Sequence, residues 1–308
     1  MELRQIEYFR MVCRQNNVTK AAALLHVSQP SVTVGIRKLE EELGVKLLDR
    51  SLKQIALTAE GRIFLRRAEE ILARVGDAVA EMNDHRLLQR GALRVGITAI
   101  MGAFLFPSAF ARFQKDYPNV RITVLEEGSL SIRNRLESGD LDMGIMITSN
   151  LPPRLESVPI TTGQILVCLP PGHPLGERSP IPFGELKDQP FILFQKDTYS
   201  RRIILEECGR LQFTPRIVFS SSQIGTVLEL VRQGVGISFF IEEVVQNQAG
   251  IVIRPLAQPL FLVAGLAWNR ERYLSQAARA FIDSFRKSLP ASNEPSPHSP
   301  PLQENESM

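Results

Sequence analysis

Apolar residues recur at helical spacing in the first 43 positions. Leu3, Ile6, Phe9 and Val12 or Cys13 predict a helix over about 3–15, broken by Asn16 and Asn17. "KAAALLHV" predicts a second helix with Thr19 as its cap, and its alanines allow a neighbour to approach closely. Val32, Ile36, Leu39 and Leu43 predict the buried face of a third. Ser28 is its N-cap, and Gly44 closes it. Pro30 fits the first turn, where its missing N–H would have been unpaired anyway. Val45 to Thr58 then alternates, as a short hairpin does. From Thr58, a cap, a long helix runs from Ala59 to about Leu88. Phe64, Ala68, Ile71, Val75, Ala78 and Met82 give it a heptad-like stripe. That stripe suits either a partner helix or its own domain. Pairing between chains is the expectation, because nothing nearby looks able to cover it.

From Gly91 the period changes. "LRVGIT", "VRITVLEE" and "MGIMIT" read as strands with helical stretches between them, which indicates a parallel sheet. From Gln164 the grammar restarts with "ILVCLP", "PFILF", "TPRIVFS", "GVGISFF" and "IVIRPL". "LFLVAGLAW" and a helix over Leu274–Ser288 return to the first set. The expected fold is α/β overall. It has an N-terminal winged helix-turn-helix (1–58), a long linker helix (59–90) and a two-lobed α/β domain (91–289). The lobes are set at about 91–161 with 266–289, and 162–265. Residues 290–308, rich in Pro and Ser, predict a disordered tail.

Two short helices joined by a tight turn, the second opening on small polar side chains, point to duplex DNA. Gln29 has the geometry to pair twice with adenine, and Ser31 and Thr33 to donate or accept at base edges. Pro30, Val34 and Arg37 complete the face expected against DNA. The same residues also suit plain helix capping, and local spacing does not separate the two readings. The hairpin tilts the balance. Arg50 and Lys53 flank its tip as phosphate contacts, and Thr58 lies at its base.

Composition adds exclusions. The 308 residues are 44% hydrophobic and 22% charged with a net charge of +3, ordinary values for a soluble protein and too mild alone to mark a nucleic-acid binder. Cys13, Cys168 and Cys208 are far apart, which argues against a disulfide scaffold or zinc site and for a reducing, cytoplasmic setting. Val95–Ala111 is uncharged but short of a membrane span, and it is broken by Gly96, Gly102 and Pro107. Nucleotide-binding and hydrolase motifs are missing, and His26, His85, His173 and His298 form no ligand pair, so neither an enzyme nor a cofactor is expected.

The segment "VTKAAALLHVSQPSVTVGIRKLEEELGVKLLDRSLKQIALTAEG" resembles the DNA-binding segment of LysR-type transcriptional regulators. The alanine run, the SQPS turn, the RKLEEELG helix and the LTAEG junction match in order and spacing. Departures are Val34 and Gly35, where the family often has polar residues, and Leu48 in place of phenylalanine. Gly35 is expected to let the helix lie close to the DNA backbone. The resemblance implies a homodimer or tetramer, RNA polymerase as a further partner, and an effector domain similar to periplasmic solute-binding proteins. Carried over by position, it implies an effector site at Thr98, Ala99, Ile100, Ser129, Thr148, Thr198 and Ser221, with Met101 shielding it from water. Hydroxyls and free N–H groups at helix starts suit a small anion such as a carboxylate, although each hydroxyl also suits capping its own helix. Peroxide-sensing members use two cysteines in the second lobe. Here Cys208 stands near the second place but Tyr199 near the first, and this leaves a redox mechanism as an alternative. A small-molecule binder without DNA function is the other.

Overall fold

The computed structural model describes residues 1–49, 56–86, 91–246 and 248–288. Arg50 and Lys53, the end of the linker helix at Leu88 and the tail from residue 290 lie outside the described residues. Contacts divide the chain into two compact units, residues 1–86 with 138–140, and the remainder.

The first unit runs α1 (Leu3–Gln15), α2 (Val18–Leu24), α3 (Gln29–Leu43), β1 (Leu48–Asp49), β2 (Ala56–Leu57) and α4 (Ala59–Arg86). Asn16 ends α1 in the left-handed region, φ 46°. Asn17, not Thr19, caps α2, because its side chain accepts from the Lys20 N–H. Ser28 caps α3 by accepting from Ser31 N–H, and Gly44 closes it at φ 67°. Phe9, Val12, Val32, Ile36 and Leu39 form the core, joined by Ala68 of α4. Leu43 does not belong to that core and stays exposed, whereas Glu40 is buried. The Glu40 carboxylate accepts from the N–H groups of Leu47 (2.8 Å) and Leu48 (3.2 Å), which fixes the chain entering β1. β1 and β2 pair antiparallel as the hairpin predicts.

The stripe along α4 changes partner midway. Phe64 and Ile71 pack on the core of their own unit, with Phe64 5.5 Å from the Phe9 ring. Val75 and Met82 are exposed, as is Val79 beside them. The expectation that nothing nearby covers the stripe is therefore corrected for its first half.

The second unit contains β3 (Ala92–Ile97), α5 (Ala99–Phe104), α6 (Phe106–Asp116), β4 (Arg121–Glu126), α7 (Ser129–Ser138), β5 (Met143–Ile147) and β6 (Leu155–Leu169). Then follow β7 (Pro190–Phe194), α8 (Tyr199–Arg210), β8 (Arg216–Ser221), α9 (Ile224–Arg232), β9 (Ser238–Ile241), α10 (Glu242–Val245), β10 (Val252–Asn269) and α11 (Gln276–Ser288). Six strands pair in the order β4-β3-β5-β10-β6-β9, and β7 pairs with β8. A parallel bridge, Phe191 to Ile237, ties β7 to the approach of β9.

The sheet is mixed where the alternation predicts a parallel one. β3, β4 and β5 are parallel, as are β7 and β8, but β10 runs antiparallel to β5 and β6. "IVIRPL" and "LFLVAGLAW" are one strand, β10, with a register shift between Pro255 and Leu260. Each half thus has three strands of one sense closed by a long strand of the other, β10 in the first half and β6 in the second. Aromatic contacts fill the core, including Phe113 edge-on to Phe281 at 5.0 Å and Phe191 against Phe239 at 5.3 Å.

Candidate functional site

The start of α3 carries the first candidate surface. Gln29, Pro30 and Ser31 are exposed, Thr33 is half-buried, and Val34 is 51% exposed one turn on. Local bonds hold the polar groups. The Ser28 and Ser31 hydroxyls lie 2.7 Å apart, and the Thr33 hydroxyl donates to the Gln29 carbonyl at 3.1 Å. The Gln29 amide reaches Thr33 at 3.4 Å, a bond weak enough to be exchanged. Arg37 donates to Glu41 at 2.8 Å on an exposed face.

Two expectations change. Thr58 has little left for DNA. Its hydroxyl lies 2.7 Å from the Lys46 carbonyl as donor and accepts from Gly61 N–H at 2.8 Å, so it knits the hairpin to the start of α4. Gly35 faces inward, where a Cβ would meet the Tyr8 ring at 2.8 Å. It makes room for α1, and the closeness belongs to a protein ring instead of a DNA backbone. Glu40, which ties down the hairpin, went unread in the sequence because one Glu in "LEEEL" looks like its exposed neighbours.

The second candidate is a cavity of about 270 Å³ in the second unit. It lies where the ends of β3 and β4 meet the starts of α5, α7 and α8. Thr98, Ala99, Ile100, Met101, Ser129 and Thr198 line it, as expected. Thr98 and Ser129 are buried, at 8% and 5% exposure, and Thr98 makes no capping bond to its own helix. Thr148 and Ser221 do not line it. The Thr148 hydroxyl donates to the Val263 carbonyl at 3.3 Å, and Ser221 accepts from Gln223 N–H at 3.0 Å. Ser222 and Ser200 take part instead.

The residues missed are acidic. Glu126, Glu127 and Asp197 line the cavity, and the lining residues described include no Lys, Arg or His. Arg135 holds Glu127 through two bonds of 2.7 Å. Asp197, from the loop before α8, accepts from Gly128 N–H at 2.9 Å and the Ser131 hydroxyl at 3.1 Å, and its carbonyl accepts from Leu130 N–H. The start of α7 thus already holds a carboxylate of the chain itself. A Cβ on Gly128 would lie 2.3 Å from that group, so the fit needs a glycine. This counts against the anion expected here. "QKDT" gives no hint of it, since such a stretch reads as a solvated turn.

The thiols do not support a redox site. Burial pushes Cys168 and Cys208 up to about 12, where the reactive thiolate is scarce. Cys13 is likewise pushed up to about 12, by burial first and then by the Glu69 charge. Tyr199, on the same helix as Cys208, is buried and bonded to the Asn150 amide.

Comparison with known proteins matches this layout. Residues 3–62 fit the model of the bacterial regulatory helix-turn-helix protein of the lysR family, and 87–290 fit the LysR substrate binding domain. The uncharacterized HTH-type transcriptional regulator YwbI of Bacillus subtilis is 31% identical over 292 residues, 94% of this chain and 97% of its own. Full-length OxyR from Pseudomonas aeruginosa superposes with a TM-score of 0.65 at 25% identity, covering 93% of this chain and 98% of that one. CbnR in complex with its target DNA shares the fold, with a TM-score of 0.60 at 22% identity over 93% and 99% of the two chains. Among the described residues, no helix is long and apolar enough to cross a membrane. The chain belongs to the LysR family of DNA-binding transcriptional regulators, with a helix-turn-helix at its start and an effector-binding domain behind it.

Proposed function

We propose that this regulator reads a specific duplex site with the start of α3 and alters promoter activity when a small molecule fills the cavity in its second unit. The carrying observation is the exposed set Gln29, Pro30 and Ser31 at a capped helix start, with Val34 and Arg37 on the following turn. A helix entering the major groove presents that end to the base edges. Arg50 and Lys53 serve as phosphate contacts, which set register without reading sequence. Thr98, Ile100, Ser129 and Thr198 face the effector. The protein acts in the cytoplasm as a homodimer that assembles further to a tetramer, and it engages RNA polymerase at the promoter. Effector binding changes DNA bending or half-site spacing more than it changes affinity, since a ligand acts through its differential affinity for two arrangements. The functional division follows 1–58, 59–90 and 91–289, with the lobes meeting inside β6 and β10.

Footprinting with the full chain tests the DNA part. We expect protection of a pseudo-palindromic site and binding that weakens steeply with salt. Gln29→Ala should relax preference at one base position and cost about 1–3 kcal/mol against the right site. Sequence-blind protection, or an unchanged motif with Gln29→Ala, would overturn the placement of α3.

A further inference from the structure

The charge around the cavity names a class of effector. Three carboxylates line it, and their states differ. Glu127 is neutralised by Arg135. Asp197 is satisfied by the start of α7. Glu126, at the end of β4, is exposed and has no partner among the described residues. No lining residue described supplies a positive side chain. The starts of α7 and α8 each contribute about half a positive charge. With the start of α5 the helix ends offset part of what Glu126 and Asp197 carry, and the side chains that line the cavity remain net negative.

A second observation is independent of charge. Thr98 and Ser129 are more than nine-tenths buried and line the cavity, and their hydroxyls have no hydrogen-bond partner among the described residues. Both hydroxyls open onto the cavity and are free to bond a polar group placed there. Ile100, Met101, Ile147, Phe194 and Leu262 supply apolar wall on the remaining sides.

We propose that the effector is a small molecule with a protonated amine on an apolar body. Resting on the reading of this cavity as the effector site, the amine meets Glu126, its remaining N–H groups are accepted by the Thr98 and Ser129 hydroxyls, and its body lies on the apolar wall. A carboxylate in the same place meets the unpaired Glu126 and finds the start of α7 occupied.

Matched ligands on the full chain provide the test. Benzylamine, phenethylamine and hexylamine are titrated by calorimetry beside benzoate, phenylacetate and hexanoate, with benzyl alcohol as the neutral member. The amines are expected to bind more tightly than the acids of like body. Glu126→Gln is expected to weaken them about fivefold, the scale of one exposed ion pair, while leaving benzyl alcohol unchanged. Thr98→Val and Ser129→Ala are milder variants and should weaken the amines with DNA binding intact. Tighter binding of the acids, or no binding by any amine, overturns the proposal. Ile100→Trp fills the cavity and separates the two readings. Acids that bind wild type and are lost with Ile100→Trp refute the amine and keep the site. Ligands that bind Ile100→Trp as they bind wild type, with that variant still retarding DNA, refute the site itself.

Discussion

Tyr8 and Gly35 show one residue choosing another across two helices. Glycine in a helix interior costs about 1 kcal/mol relative to alanine. Here a Cβ would press on the Tyr8 ring at 2.8 Å, and Tyr8 is buried at 8% exposure. Overpacking of this kind costs about 1–3 kcal/mol, which outweighs the gain in propensity. Gly35→Ala is therefore expected to lower stability by about 1 kcal/mol in urea denaturation. In a Tyr8→Leu background the same change should become neutral or stabilising. A rise in stability with Gly35→Ala alone would show that the ring gives way. The glycine was visible in the sequence as a departure from a polar position, but its reason was not. Helical periodicity tells which side of α3 is buried, and it carries no information on the size of what lies opposite.

At the scale of the element, α4 divides one sequence pattern between two tasks. Phe64, Ala68 and Ile71 are held within the unit, and Val75, Val79 and Met82 face away from it. Replacing Val75, Val79 and Met82 with Ser should leave the unfolding midpoint of the helix-turn-helix nearly unchanged while abolishing self-association in sedimentation. Phe64→Ala should do the reverse and cost about 3 kcal/mol of stability. Equal loss of association in both variants would contradict the division. The heptad spacing was legible along its whole length. The change of partner was not, because spacing is the same whether the apolar face meets α1 or another chain. The same limit hid β10. Its apolar runs stand apart in sequence, yet between Pro255 and Leu260 the strand merely shifts register against β6.

For the effector domain as a whole, the loop carrying Asp197 joins the two halves at the cavity. Removing that carboxylate leaves Gly128 N–H and Ser131 without their acceptor at the start of α7. Asp197→Ala should cost about 1 kcal/mol, as the loss of a helix cap does, with faster hydrogen exchange in peptides spanning 126–132. Asp197→Asn keeps an acceptor oxygen and should be milder. Gly128→Ala should mimic Asp197→Ala, since its methyl would displace the carboxylate. Unchanged exchange in Asp197→Ala would show that the bond carries no load. Strand ends and helix starts gave the place of the cavity from sequence alone. Glu126 and Glu127 stood in plain view at the end of "VRITVLEE", but Asp197 is folded in from another part of the chain, which no local pattern announces.

The long antiparallel pair of β6 and β10 bears on how any such event is felt at a distance. Residues 155–169 are laddered to 252–269 through both halves of the sheet. A hydrogen-bonded ribbon of this length resists stretching and sliding, because either would break rungs together, yet it tolerates winding about its own axis. What a molecule in the cavity transmits along it is then an angle and not a distance. The four residues between Pro255 and Leu260 drop out of that ladder and are held instead by a bridge from Leu256 to Ile181, so the winding of the ribbon there is passed to the segment around Ile181.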